Sequence, residues 1–285
     1  MKIWVLSLFV LWAAVPVAEA DVYFEEELVN PGFGSKKTGA RKTINKVYIK
    51  DKRQRVEVQI VVDKKTEKVL KKQGQPLRSS TILNLNKAEV YEIDLDAQTF
   101  VRGKVQPARP AAPKSVAKKA AKVAAPRIGF SYKVPGDSSV VAGIVCKRVV
   151  AQMRARHYKK KKLHRENRYT YDACIAKKFP GLNELLAFQA LQDTSTSYPS
   201  LVGGGLEQFS SKAEDLGQLK KKLEGLAEEL DGFALKSTLT ASVMRRGKKK
   251  PKEIFRLERK VKKLRYRALP DSLFSVSKAL TQVKK

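Results

Sequence analysis

Alternating apolar and polar residues are the feature that most limits how this chain can fold. Every second position between residues 56 and 62 is apolar, at Val56, Val58, Ile60 and Val62. This period of two places the four side chains on one face of an extended strand. Short apolar segments follow at residues 81–85, 90–94 and 99–102, with turn residues between them. Their even spacing predicts an antiparallel meander.

The later part of the chain also predicts strands, most of them arranged as hairpins. Residues 128–132 form one short strand, and residues 140–154 and 165–177 form two long strands around a basic turn. Residues 235–244 and 254–267 form a second such pair, joined by the basic segment 245–251. Apolar residues at alternate positions and turn residues between the runs support both hairpins.

Two segments carry helical signals instead. Residues 182–191 follow Pro180-Gly181, and residues 211–231 begin with Ser211 and Glu214 in the spacing of a capping box. Leucines recur in the longer helix at intervals of three and four, at Leu216, Leu219, Leu223, Leu226 and Leu230. Such a stripe is typical of a helix side that faces a core. We expect it to line or plug an apolar cavity between the sheet and the helices.

The first 20 residues predict a cleavable secretory signal. Lys2 precedes an apolar run, and Ala18-Glu19-Ala20 matches the small-residue cleavage pattern before Asp21. The residue directly after the cleavage point is Asp21 and not a cysteine, and residues 21–285 contain no second long apolar run. The sequence therefore predicts a protein of the periplasm or the extracellular space, without a lipid anchor.

Composition divides the remaining chain only once. Residues 105–126 hold four Pro, eight Ala and five basic residues, with no acid and no apolar periodicity. Such a composition is typical of an extended, solvated loop. We therefore expect residues 21–285 to form a single domain with a Pro/Ala/Lys-rich insert at 105–126.

The charge of the chain is the strongest chemical signal. Its 59 basic and 28 acidic residues give a formal net charge of +31, whereas solubility needs roughly 2–8 for a small domain. Two clusters stand out, with ten Lys/Arg at 147–168 and thirteen at 245–267. The candidate polyanion-binding residues are Lys159, Lys160, Lys161, Lys162, Arg245, Arg246, Lys248, Lys249 and Lys250. A surface kept soluble by repulsion is the alternative interpretation.

The two cysteines predict a disulfide. An exported chain with an even number of cysteines usually pairs them. If Cys146 and Cys174 face each other across the hairpin, its centre falls at Lys160 and its tip spans residues 157–164. This places the two histidines far from the cysteines, since a strand of about ten residues is roughly 33 Å long. A zinc site built from these four residues is therefore not expected.

No motif predicts an enzyme or a cofactor. The sequence has no Gly-x-Ser-x-Gly elbow, no His-Glu-x-x-His and no phosphate-binding glycine loop. Glu92, Asp94 and Asp96 share one side of a strand and could serve acid–base chemistry or calcium. A solvated strand edge that runs into a turn at Asp96 explains them better. We predict neither catalytic nor metal-binding residues.

The arrangement of these elements resembles the LolA/LolB type of lipoprotein carrier and related exported bacterial proteins. The resemblance rests on residues 81–85 with 89–94, on 142–147, on 175–177 and on Leu273-Phe274. It implies an α+β fold, a curved antiparallel sheet or half barrel with helices on its concave side. Carriers of this kind hold acyl chains. The charge and the Pro/Ala/Lys insert depart from the pattern.

Together these signals predict a non-enzymatic periplasmic binding or carrier protein for anionic lipid, lipoprotein or a lipid-linked polymer. The alternative is a basic envelope protein that binds polyanions such as lipopolysaccharide and has no cavity. Peripheral membrane contact fits both interpretations. Because the chain is expected to be exported, nucleic acid is not the expected partner. The sequence predicts no cofactor and no oligomeric state.

Overall fold

The structure is a computed structural model that describes residues 21–31, 40–105, 126–159, 162–195, 214–230, 232–248 and 250–284. The strands are β1 (Val22–Asn30), β2 (Arg41–Lys50), β3 (Arg53–Val61), β4 (Arg78–Asn84), β5 (Glu89–Asp94), β6 (Thr99–Lys104), β7 (Arg127–Lys133), β8 (Ser138–Val141), β9 (Ile144–Lys159), β10 (Lys162–Ala176), β11 (Phe233–Arg245), β12 (Lys252–Tyr266) and β13 (Thr281–Gln282). The helices are α1 (Lys64–Lys72), α2 (Leu182–Ser195) and α3 (Glu214–Leu230), with a 3-10 turn at Asp271–Phe274.

The thirteen strands found among the described residues all belong to one open sheet. The strand order is β13-β6-β5-β4-β3-β2-β1-β12-β11-β10-β9-β7, and β8 pairs with β9. Every pairing is antiparallel except that of β13 with β6. Strands hold 58% of the structure and helices 17%. The predicted α+β half barrel with helices on its concave side is therefore wrong. That expectation came from the resemblance, whereas the period-two pattern runs through most of the chain.

The first half of the sheet is the meander that the sequence predicts. Strands β1 to β6 each pair with the next along the chain. Helix α1, between β3 and β4, was not predicted because it buries none of its residues. Its N-terminus is instead fixed by Asp63, whose side chain accepts hydrogen bonds from the backbone of Lys65 and Thr66.

The second half consists of long hairpins. Strands β9 and β10 pair along almost their whole length, as do β11 and β12. The predicted single strand 140–154 is wrong, because a tight turn at Ala142 and Gly143 separates β8 from β9. Both turn residues have positive φ, 50° and 81°, as a two-residue hairpin turn of the favoured type requires.

Two apolar clusters hold the helices against the sheet. In the first, Leu185 and Phe188 of α2 pack with Phe24, Val47 and Leu235. In the second, leucines of α3 pack with side chains of β9, β10, β11 and β12. Among the described residues, no helix is both long enough and apolar enough to cross a membrane. The predicted signal at 1–20, most of the insert at 105–126 and Ser211 lie outside the described residues.

Candidate anion-binding site

The structure brings the two predicted basic segments together. Strand β10 pairs with β11, so that Arg165 lies directly opposite Arg245. The backbone N–H of Arg246 donates to the carbonyl oxygen of His164 over 3.2 Å. The ends of the β9–β10 and β11–β12 hairpins are therefore neighbours. We call this region the basic end; its described members are Lys159, Lys162, Arg165, Arg245, Arg246, Lys248 and Lys250. Lys160, Lys161 and Lys249 lie outside the described residues.

Like charges face each other at and near the basic end. Lys159 lies opposite Lys162 and Arg165 opposite Arg245. The same holds for Arg154 with Arg168 and for Arg127 with Arg156. Like charges directly opposite on a sheet destabilise it. This part of the sheet therefore carries a concentration of positive charge that does not stabilise the fold.

Four of these residues form an array on one face of the sheet. Their backbone positions alternate with those of Met153 and Tyr169, which pack against α3. Side chains at alternate positions point to opposite faces, so these four lie on the face away from α3. We call them the arginine array: Arg127, Arg154, Arg156 and Arg168. The sequence analysis counted them within basic clusters but did not single them out, because only the strand register shows that they share a face.

A buried carboxylate holds two members of the array. Glu166 is 3% exposed, and one of its oxygens accepts a hydrogen bond from Arg156 Nε over 2.9 Å. Its other oxygen accepts one from Arg168 Nε. Burial alone raises the pKa of Glu166, but the hydrogen bonds from Arg168 and Arg156 outweigh it and hold the pKa below its ordinary value. Glu166 therefore stays ionised and positions both guanidinium groups.

Two members of the array have no carboxylate partner among the described residues. Arg154 is exposed and sits between Gly129 on β7 and Arg168 on β10. A Cβ at Gly129 would meet no atom within 4 Å, so the space beside Arg154 is open. The guanidinium of Arg127 lies 5.1 Å from the ring centre of Tyr158, a distance typical of cation–π contact.

A polar cluster fixes the start of α3 on the other face. His157 Nε2 lies 3.0 Å from Asp215 Oδ2, and Asn167 Nδ2 donates to the same oxygen over 2.5 Å. Burial, followed by the negative charge of Asp215, raises the pKa of Tyr169 to about 12. These contacts attach the first turn of α3 to β9 and β10.

Cys146 and Cys174 form the predicted disulfide, with 2.10 Å between their Sγ atoms. The predicted register is wrong by two residues, since Cys174 lies opposite Arg148 and the bond joins diagonal positions. An irregularity between Leu163 and Arg165 shifts the pairing. No group of three or more His, Cys, Asp or Glu side chains that could hold a metal occurs in the described part of the chain.

The leucine stripe packs against the sheet. Leu219, Leu223, Leu226 and Leu230 are buried in the second apolar cluster, while Leu216 lies in α3 with its side chain outside the described set. A pocket of about 280 Å³ lies elsewhere, between α2 and the ends of β1 and β2. Its lining residues are Asp21, Ile49, Lys50, Asp51, Asn183, Glu184, Ala187, Phe188 and Leu191. The stripe does not line this pocket.

Two of the three acidic candidates, Asp94 and Asp96, serve a turn. Asp94 Oδ1 accepts hydrogen bonds from the backbone of Asp96 and Ala97. Asp96 in turn accepts from Arg78 Nε and from two backbone N–H groups. Both carboxylates are therefore engaged in local structure, as the interpretation of a turn at Asp96 predicts.

No protein-family model matches this chain, and no curated protein matches it.

Proposed function

We propose that this chain is a non-enzymatic protein that binds anionic lipid surfaces outside the cytoplasm through its basic end. The observation that carries the proposal is the contact between two hairpin ends, both rich in Lys and Arg. Clustered Lys and Arg side chains suit lipids that carry phosphate groups, including lipopolysaccharide and the anionic lipids of a membrane that holds lipoproteins. The location outside the cytoplasm rests on the predicted signal at residues 1–20.

The basic end also carries apolar side chains that suit a membrane surface. Leu163 is 37% exposed and Ile254 is 44% exposed, and both lie in the strands that lead to the two hairpin ends. An anionic surface attracts each nearby Lys or Arg by about 1 kcal/mol. Long basic side chains can reach the phosphates while leucine and isoleucine enter the interface.

A charge-matched pair of variants tests the proposal. In the first, Lys159, Lys160, Lys161 and Lys162 are changed to Gln. In the second, Lys64, Lys65, Lys68 and Lys72 of α1 are changed to Gln, which removes the same charge elsewhere. Binding to vesicles that contain phosphatidylglycerol is measured by sedimentation over a range of salt. At about 1 kcal/mol per residue, the first variant should lose well over tenfold in affinity.

The control variant should change affinity no more than threefold, and both should keep the wild-type circular dichroism spectrum. Binding of the wild type should fall steeply between 0.1 M and 1 M salt, because the Debye length shrinks from about 10 Å to about 3 Å. Equal losses in the two variants would refute the basic end as the binding site. Equal binding to neutral and anionic vesicles would refute the proposal as a whole.

Carriage of a lipid inside the protein is the second candidate. The pocket beside α2 favours it, since Ile49, Phe188 and Leu191 supply an apolar lining. Its charges do not favour an anionic headgroup, because Lys50 is paired with Asp21 and Asp271. Its volume of about 280 Å³ is near the lower limit for ligand sites, roughly 300–1,000 Å³. Native mass spectrometry of the purified protein separates the candidates, because a carrier retains lipid and a surface-binding protein does not.

A further inference from the structure

We propose that the arginine array is a subsite for the phosphomonoester group of an anionic lipid headgroup. This inference rests on the proposed function, because the array would meet headgroups only when the basic end lies on a membrane. It goes further in naming a chemical preference. Lysine as a residue type is a flexible point charge with little geometric selectivity, whereas arginine presents fixed pairs of donors.

The array is organised before any ligand arrives. Glu166 uses one carboxylate oxygen for Arg156 and the other for Arg168, and in each arginine the bonded atom is Nε. The terminal amino groups of Arg156 and Arg168 keep donors that Glu166 does not use, because a guanidinium has five N–H donors. Fixing a charged side chain in advance removes part of the ordering cost of binding.

Arg154 supplies a positive charge that no carboxylate among the described residues neutralises. It lies directly opposite Arg168 and two residues from Arg156 on the same face, so their Cβ atoms are roughly 5–7 Å apart. Gly129 leaves its other side open. An oxyanion placed over Arg154 can therefore accept hydrogen bonds from Arg154, Arg156 and Arg168 together.

Charge complementarity selects a phosphomonoester. The array and Glu166 together carry a net charge of +3, from four arginines and one glutamate. A phosphomonoester carries about −1.5 to −2 at pH 7 and offers three terminal oxygens. A phosphodiester carries one negative charge and only two such oxygens. Paired guanidinium donors therefore gain more bonds from the monoester.

The position of the array favours a lipid over a soluble ligand. Arg156 lies three residues before the end of β9 at Lys159, a distance of about 10 Å along the strand. Tyr158, which contacts Arg127, lies opposite the exposed Leu163. A membrane that contacts the hairpin ends therefore brings its headgroups near the array.

The test compares two vesicle compositions with equal surface charge. One contains phosphatidic acid, a monoester, and the other contains more phosphatidylglycerol, a diester. The wild-type protein should bind the monoester vesicles at least fivefold more tightly. Arg154→Lys keeps the charge and should reduce this preference below twofold while binding to diester vesicles stays within twofold. Arg265→Lys, an exposed control on β12, should keep the preference.

Glu166→Gln gives a readout that net charge alone cannot imitate. The substitution makes the surface more positive, so simple attraction would tighten binding to both vesicles. Loss of positioning should instead lower the preference for the monoester. If this variant fails to fold, Arg154→Lys still decides the matter, because no described side chain depends on Arg154.

Each remaining outcome separates the two proposals. Equal, salt-sensitive binding to both vesicles would overturn the subsite and leave the proposed function standing. No binding to either vesicle would overturn both. Soluble glycerol phosphate is the last arm, and it should compete only weakly. Complete competition at micromolar concentration would show that a free phosphomonoester is the ligand, and would overturn the lipid source.

Discussion

The two halves of the sheet have the same length and very different charge. Residues 21–105, which form β1 to β6, contain 18 basic and 12 acidic residues, a net charge of +6. Residues 126–176 and 233–266, which form β7 to β12, contain 25 basic and 5 acidic residues, a net charge of +20. We call them the meander half and the hairpin half. Both are 85 residues long, so length does not explain the difference.

The acids in the two halves do different work. In the meander half some acids fix turns and ends, as Asp63 does at α1 and Asp94 at the β5–β6 turn. Others pair with a single base, as Glu89 does with Arg102. In the hairpin half a few acids organise several arginines, as Glu166 does for Arg156 and Arg168. One sheet accommodates both patterns, so its architecture does not require the positive excess of the hairpin half. The proposed binding to an anionic surface would account for that excess.

The largest effect we predict comes from breaking the contact that joins the halves. Arg259 on β12 donates to Glu26 on β1 over 2.6 Å, and both side chains are at most 5% exposed. Arg259 Nη1 also donates to the carbonyl of Ala234, and Asn45 donates to Glu26. Arg259→Met leaves a buried carboxylate without its cation, which should cost about 3–5 kcal/mol of unfolding free energy. Urea unfolding followed by circular dichroism measures it.

The matched control is the double variant Glu26→Leu with Arg259→Met. It removes both charges and should recover most of the loss, because an apolar pair of similar volume is often no less stable than a buried ion pair. If the single variant unfolds in two steps, the halves are separable units held by this contact. A loss below about 1 kcal/mol would show that water or rearrangement satisfies Glu26.

The second effect should be confined to the hairpin half. The bond between Cys146 and Cys174 closes a loop of 29 residues, which the chain-entropy model values at about 3–4 kcal/mol. Changing both cysteines to serine should therefore lower the unfolding free energy by about that amount. Amide hydrogen exchange should rise in β9 and β10 more than in β3 to β5.

Reductant supplies the control for this prediction. It should destabilise the wild type by a similar amount and leave the double serine variant unchanged. Two cysteines that react with an alkylating reagent in the unreduced native protein would contradict the disulfide.

The halves also differ in how well the sequence predicts them. The meander follows from local patterns, because each strand pairs with its sequence neighbour and the β2–β3, β4–β5 and β5–β6 turns are short. Helix α1 is the exception in that half, since Val69 and Leu70 are the only apolar residues of the segment Lys64–Lys72 and neither is buried. In the hairpin half, the sequence did not predict the four-residue strand β8 as a separate strand. Apolar residues stand on both sides of its turn at Ala142 and Gly143, so that β8 and β9 look like one continuous strand.

The hairpin half also depends on two pairings between strands that are distant in sequence, β1 with β12 and β10 with β11, and no local pattern predicts these. Glu26 and Arg259 are 233 residues apart in sequence, and their contact exists only because β1 pairs with β12. The contact between the two hairpin ends depends in the same way on β10 pairing with β11. The sequence could therefore predict both basic segments but not that they lie next to each other in the sheet. The arginine array required the register as well, since a slip of one residue would move each arginine to the other face.

The smallest effect we predict concerns the pKa of buried tyrosines. It tests whether the positive charge of the hairpin half influences a buried side chain there. Tyr48 lies in the meander half and Tyr169 in the hairpin half, and burial is the main cause that raises the pKa of each to about 12. The ordinary pKa of tyrosine is about 10. A raised pKa in the folded state means that the stabilising contribution is complete below pH 10 and is lost as the pH rises towards 12.

We therefore expect the unfolding free energy to fall over this alkaline range, and Tyr48 and Tyr169 to ionise late. Ultraviolet absorbance of tyrosinate follows the ionisation, and Tyr48→Phe and Tyr169→Phe should each remove one late-titrating group. A dominant positive field would favour the phenolate of Tyr169 and bring its ionisation down towards pH 10, while Tyr48 stayed near 12. Late ionisation of both would mean that Asp215 and burial shield Tyr169. The excess charge would then act on the surface, where we propose that the basic end and the arginine array bind anionic headgroups.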